Sequence, residues 1–374
     1  MILLTANSLK PFAFESVQIL GLPDGCVFRA RFPIQWIEKQ FVDEPERLIG
    51  QDLVYALRIW ETDEVLPLRF GKVVSSKKVG DIVFFEYSLG RLLAYSSQQD
   101  EITKQVSLFR VAHDAFLTKL PGSERAPNKP LRPLVVEVDA TLLRDFGAAN
   151  FTSPDEDERW MMAVNLLGGY SIFNGLPFYK FEILEQGRKT EAVIKDGTAV
   201  LKSGRGYSLS ALCLIADNNV TASGVSRDPD TPYMELGPYE LSIETDANRV
   251  EVTPQTQPMS GRYDRLSFSF QSTSNRRSRE TLRPTFSVPI EVSRSFRPVF
   301  DIPVAFSPTR WGVIWRALLA VLFLGIWLGL NYVDDIKGLL PQKGEDLVEQ
   351  FSLVFFALTC VELVKYVKEL AKSS

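Results

Sequence analysis

Apolar and polar positions divide the chain into stretches of different periodicity. Through residues 1–120, short apolar and β-branched runs alternate with turn-forming residues. Segments 16–20 and 26–34 flank Leu22-Pro23-Asp24-Gly25, and 53–60, 66–74 and 81–88 follow. Runs of this length bounded by Gly, Pro and Asp read as strands, the first two as a hairpin. Segments 38–49 and 106–120 are read as helical. The expectation for 1–120 is a small open sheet or barrel with one or two helices. Residues 121–133, PGSERAPNKPLRP, hold four prolines and read as an extended linker.

Residues 134–306 open with a strand at 134–138. Ser153-Pro154-Asp155-Glu156 then carries the chemistry of a helix start: Ser as N-cap, Pro at the first position, Glu three after the cap. Trp160, Met161 and Val164 give that helix an apolar stripe, and Gly168-Gly169 end it. Strands are expected at 180–185, 191–194, 207–215, 239–244, 265–271, 285–292 and 299–305. Leu266-Ser267-Phe268-Ser269-Phe270 alternates strictly, the mark of a half-buried strand. This spacing predicts a β-sandwich, immunoglobulin-like in general plan, although no Cys-Trp-Cys pattern accompanies it. The fold class is therefore mainly β, an α+β body of two domains followed by two membrane helices.

Residues 311–333 read WGVIWRALLAVLFLGIWLGLNYV, long enough at ~1.5 Å per residue to cross a hydrocarbon core of ~30 Å. Arg316 lies near one end, and Trp311, Trp315 and Tyr332 stand where interfacial aromatics belong. Residues 350–367 form a second apolar segment carrying Glu362, with Lys365 on the same helix face. That segment is read as crossing; lying in the interface is the alternative. Gly325 and Gly329 have the spacing that lets helices approach closely, within the hairpin or between copies in a homo-oligomer. Arg294, Arg297, Arg310, Arg316, Lys365, Lys368 and Lys372 flank the pair, against Lys337 and Lys343 in the acidic loop 334–349. The positive-inside rule then places the body, the basic tail 368–374 and both termini in the cytoplasm of a multi-pass cell-membrane protein.

Composition narrows the function classes. The formal net charge of −4 gives no overall attraction to nucleic acid. Three scattered cysteines make no disulfide framework and fit a reducing compartment. The N-terminus has no signal-peptide pattern. His113 is the chain's single histidine, read here as a surface or capping residue, so triads and histidine-based metal sites have little to work with. No nucleotide-binding or metalloprotease motif occurs, and no cofactor, metal or catalytic residue is assigned. Carboxylate chemistry on lipid or envelope substrates stays open without a singled-out pair, since Asp155-Glu156-Asp157-Glu158 is explained by the helix dipole.

Two groups are candidates for anion binding. Lys202, Gly204, Arg205 and Gly206 could offer backbone amides and a guanidinium to a phosphate, or form a hairpin turn. Arg276, Arg277, Arg279 and Arg283 crowd a predicted loop and suit anionic lipid headgroups or the phosphate of a nucleotide or nucleic acid, with a solvated loop tip as the alternative. Trp60, Arg69, Phe70, Phe84, Phe85 and Tyr87 place aromatic and basic side chains on strands, where alternation lets only half share a face. The functional expectation is a membrane-anchored, cytosol-facing binding module, a sensor or scaffold for a ligand or protein partner. Its occupancy would be signalled to the hairpin, with action on the membrane as an extension. A static membrane-anchored interaction protein is the alternative.

Overall fold

The computed structural model describes residues 1–8, 12–96, 98–117, 134–139, 141, 155–187, 190–216, 239–274, 277–287 and 300–308. Six single positions beyond these, 322, 354, 357, 360, 361 and 364, are helical. The chain divides into two compact units. One comprises 1–201, 205–273 and 278–305; the other comprises 202–204, 274–277 and 306–374.

The first unit begins with a six-stranded sheet built from β1 (Ile2–Asn7), β2 (Val27–Pro33), β3 (Asp52–Arg58), β4 (Val65–Val79), β5 (Ile82–Leu92) and β6 (Leu134–Glu137). The strand order is β2-β5-β4-β3-β1-β6, with β1 parallel to β3 and the other pairs antiparallel. β1 is buried along its whole length, as a strand covered on both faces must be. Helices α1 (Phe12–Gly21), α2 (Lys39–Asp43) and α3 (Gln99–Leu117) accompany the sheet.

Three sequence expectations change here. Residues 16–20, predicted as a strand, lie inside α1. Ser16, Val17 and Leu20 share one buried face at helical spacing, and a short apolar run does not by itself distinguish the two periods. The strand at 134–138 pairs along β1 and so completes the first sheet, not the second. His113 on α3 is fully buried, not a surface residue: Arg58 Nη1 donates to its Nδ1 at 2.8 Å. Burial holds its pKa below the ordinary histidine value, with Arg58 adding to the shift and Asp114 opposing it.

The helix expected after residue 153 is α4 (Glu156–Gly168), and its cap is Asp155, whose carboxylate accepts the Glu158 amide at 2.8 Å. Beyond it come β7 (Pro177–Glu185), β8 (Thr190–Glu191), β9 (Ile194–Lys195), β10 (Thr198–Lys202), β11 (Tyr207–Ile215) and β12 (Glu240–Glu244). The series ends with β13 (Val250–Thr253), β14 (Thr256–Pro258), β15 (Tyr263–Ser272), β16 (Ser278–Ser287) and β17 (Ile302–Ser307). They form a five-stranded sheet, β13-β15-β11-β7-β8, and a six-stranded sheet, β14-β12-β16-β17-β10-β9. Phe181 on β7 meets Phe300, just before β17, edge-on at 4.8 Å, an aromatic contact between the two sheets' chain segments. The chain is mainly β, and this part is sandwich-like.

The first sheet and the sandwich-like part share the first unit and are joined by packed contacts. Gly21, the last residue of α1, is one. A Cβ there would lie 2.4 Å from the Tyr179 carbonyl oxygen and 2.7 Å from the Phe300 ring. Only glycine lets the helix end approach β7 this closely. A second joint is made by the β3–β4 turn: buried Glu64 accepts from the Tyr170 hydroxyl at 2.8 Å, and Glu61 accepts the Ser171 amide at 3.1 Å. Gly21→Ala is expected to destabilise the protein by about 2 kcal/mol, because rigid neighbours on both sides must give way. Thermal unfolding read by tryptophan fluorescence checks this; an unchanged midpoint would mean that α1 does not sit against β7.

Candidate functional site

Where α1, β4 and β5 meet α4, β7 and β8, the first unit holds a cleft of about 100 Å³. Its lining includes Leu20 and Leu22 and six ionisable side chains: Asp24, Arg69, Glu156, Lys180, Glu182 and Glu191. A drug-sized ligand needs ~300 Å³ or more, so this space suits the end of a side chain or a small ion.

Both cations are already committed. Arg69, on β4, is 2% exposed and donates to the carbonyls of Gly90 and Leu22, each at 2.6 Å, and to that of Ile19. Its remaining nitrogen reaches Asp24 Oδ1 at 2.5 Å. Lys180, on β7, places Nζ 2.7 Å from both Asp157 Oδ1 and Glu182 Oε1. Burial works against the charge on Lys180, but its two hydrogen-bonded carboxylates outweigh that and raise its pKa. Burial likewise opposes charge on Asp157, yet Lys180 and Arg265 together hold its carboxyl below the usual range.

The acids are less fully matched. Glu156 accepts the Leu92 amide at 3.2 Å and sits 3.5 Å from Arg159. Its pKa is raised, first by burial and then by Asp24, against the pull of the Leu92 amide. Glu191 stands exposed on β8. The cleft thus presents more carboxylate than free cation.

None of the predicted site residues lines it. Arg205 is paired with Glu185, and Gly206 packs against the Gln186 side chain. The turn that holds them links strands of two different sheets, not a hairpin. Gly204 has a φ of +76°, and Lys202 is exposed. Of the arginine group, Arg279 and Arg283 lie on β16, not in a loop, and Arg283 pairs with Asp301 at 2.8 Å. Arg277 is exposed, and Arg276 lies outside the described residues. Gly325, Gly329 and Glu362 also lie outside them, as does nearly all of 311–333 and 350–367. Among the described residues no helix is long and apolar enough to cross a membrane. Nor does any group of three or more His, Cys, Asp or Glu among them suit a metal ion.

Arg69 was visible in the sequence only as one of several basic and aromatic strand positions. The signal for it and for Lys180 is a charge inside a run of buried strand residues, LPLRF and FYKFEI. The thiols of Cys26 and Cys213 are buried and free, and burial pushes Cys26 up to about 12, so neither is a nucleophile at neutral pH.

No protein-family model and no curated protein matches the chain. Among solved structures, the periplasmic chaperone SfaE matches 29% of this chain and 53% of its own, at 18% identity and a TM-score of 0.20. The chain thus spans about half the length of that chaperone. A likeness at that score carries no argument about fold or function.

Proposed function

We propose that the protein is a membrane-anchored recognition module. In this reading its β-rich unit takes a cationic group of a protein partner into the cleft beside Arg69 and Lys180. Segments 311–333 and 350–367 hold it in the bilayer with both termini cytoplasmic, and they receive the signal of occupancy. The observation that supports the binding role is the state of the charges in the cleft. Arg69 and Lys180 have their partners, whereas Glu156 and Glu191, which line the cleft, keep acceptor capacity. An incoming ammonium or guanidinium would meet the exposed Glu191 and share Glu156 with Arg159, and an anion would meet repulsion. The size of the cleft matches a lysine or arginine end group. The apolar segments support the membrane anchor through their length and flanking charges.

Blocked amino acids give a direct test. N-acetyl-lysine amide and N-acetyl-arginine amide are expected to raise the melting midpoint of the full chain, by an amount equivalent to about 1.4 kcal/mol at ten times Kd. N-acetyl-glutamate amide should leave it unmoved. Glu156→Gln with Glu191→Gln should remove the response to the cationic probes. Equal shifts from all three compounds, or a response that survives the double substitution, would overturn the reading.

A further inference from the structure

β4 runs on past its partner. Its pairing with β3 covers Val65 to Lys72, and from Val74 to Val79 it is held by β5 alone, which pairs in turn with β2. The result is a three-stranded ribbon ending at the turn around Gly80. On one face of it Val83, Phe85 and Tyr87 are buried. The register sets the other face. Arg31, Phe84 and Lys77 form one cross-strand row, Pro33, Ile82 and Val79 the next. Val74, at the irregularity in β4, joins them.

Apolar side chains are exposed here to an unusual degree: Val74 by 47%, Val79 by 54% and Phe84 by 43%. Around them stand Arg29, Arg31, Lys72 and Lys77, against Glu86 and Asp81; Lys78, opposite Val83, belongs to the other face and donates to the Val42 carbonyl at 3.4 Å. Glu86 is tied to Arg29 at 2.8 Å and to the Ser75 hydroxyl at 3.0 Å, so the acid within this face is already partnered. On a chain of net charge −4, a protruding apolar tip ringed by cations is a local reversal. Such a surface has a physical use where an anionic layer covers an apolar one.

We infer that this outer face docks on an anionic phospholipid surface, with Phe84, Val79 and Val74 entering the headgroup layer and the four cations binding phosphates. The inference rests on the membrane-anchored reading for its setting but concerns a different site from the cleft. An acidic strand adding to the free edge of β2 would use the backbone of Arg29 and Arg31. It would leave Val74 and Val79, two strands away on β4, uncovered. The lipid surface accounts for both the charges and the apolar tip.

The test uses the full chain with Cys360→Ser and Val79→Cys, an environment-sensitive fluorophore on the thiol at 79, in phosphatidylcholine vesicles with and without phosphatidylserine. The emission is expected to shift to the blue, and to be quenched by labelled acyl chains, only with phosphatidylserine. Arg31→Gln with Lys77→Gln should lower the docked-to-free ratio roughly 25-fold, about five-fold for each cation removed. Raised salt should weaken docking. Identical emission with and without phosphatidylserine overturns the inference. So does a shift produced by soluble polyglutamate and not by lipid, which would assign the face to an acidic polypeptide. Alkaline carbonate extraction on the same samples tests the anchor separately. A chain released by carbonate ends the anchored reading, and its sedimentation with anionic vesicles still decides the docking.

Discussion

Replacing Arg69 with methionine is expected to lower the melting midpoint of the protein by about 10 °C, corresponding to a loss of roughly 3–5 kcal/mol. The reason is what the guanidinium touches. α1 ends at Gly21, and the carbonyls of its last turn have no partner within the helix. Arg69 supplies donors to Ile19 and Leu22 there, and to Gly90 on β5, while Asp24 balances its charge. One side chain thus ties α1, β4 and β5 together behind the cleft. Methionine keeps much of the volume and none of the donors, leaving buried carbonyls unmet, the costly side of hydrogen-bond asymmetry. Arg69→Lys is expected to recover only part of the loss, because a single ammonium cannot span the fork of acceptors. Thermal unfolding of the three proteins decides it. A methionine variant that melts within about 2 °C of the natural chain would show that the fork is not a structural joint.

The same residue shows how much of this molecule was legible in its sequence. Periodicity located most strands from 53 onward, because alternation and turn residues are local signals: β11 matches its predicted limits, 207–215. The runs at 16–20 and 134–138 misled for a physical reason. α1 is too short to display several turns of a helical pattern, and strand pairing across more than a hundred residues leaves no local mark. The site was less legible still. Arg69, Lys180 and Glu156 stand far apart in the chain and meet only because Gly21 and Glu64 dock the first sheet on the sandwich-like part. Of the arginines that did stand out in sequence, Arg279 and Arg283 occupy exposed positions of β16, and Arg283 is engaged by Asp301. Clustering in sequence marked charge density, while burial marked the residues that organise the cleft.

Lys180→Met is expected to cost about 3–5 kcal/mol at neutral pH, and the loss should depend on pH in a way that identifies its cause. Lys180 lies between Asp157 and Glu182, and Arg265 pairs with Asp157 from the other side. Removing the ammonium leaves two poorly hydrated carboxylates with one partly exposed arginine between them. The folded pKa of Asp157 lies below its unfolded value of ~3.9. Its contribution to stability is therefore present above that value and is lost as pH falls through the folded one. Lys180 has its pKa raised, so its contribution is full below ~10.4 and disappears as pH climbs through the folded value. The stability gap between the natural chain and Lys180→Met should accordingly be widest between these limits and narrow toward both acid and strong base. Adding Asp157→Asn and Glu182→Gln to Lys180→Met should restore most of the stability, since the buried set is then neutral and Arg265, which loses its acids, is exposed enough to stay hydrated. Denaturation at several pH values distinguishes charge from packing. A gap that stays constant from acid to base, or a triple variant no more stable than the single one, would assign the loss to the lysine's methylene stem against β7 and not to its charge.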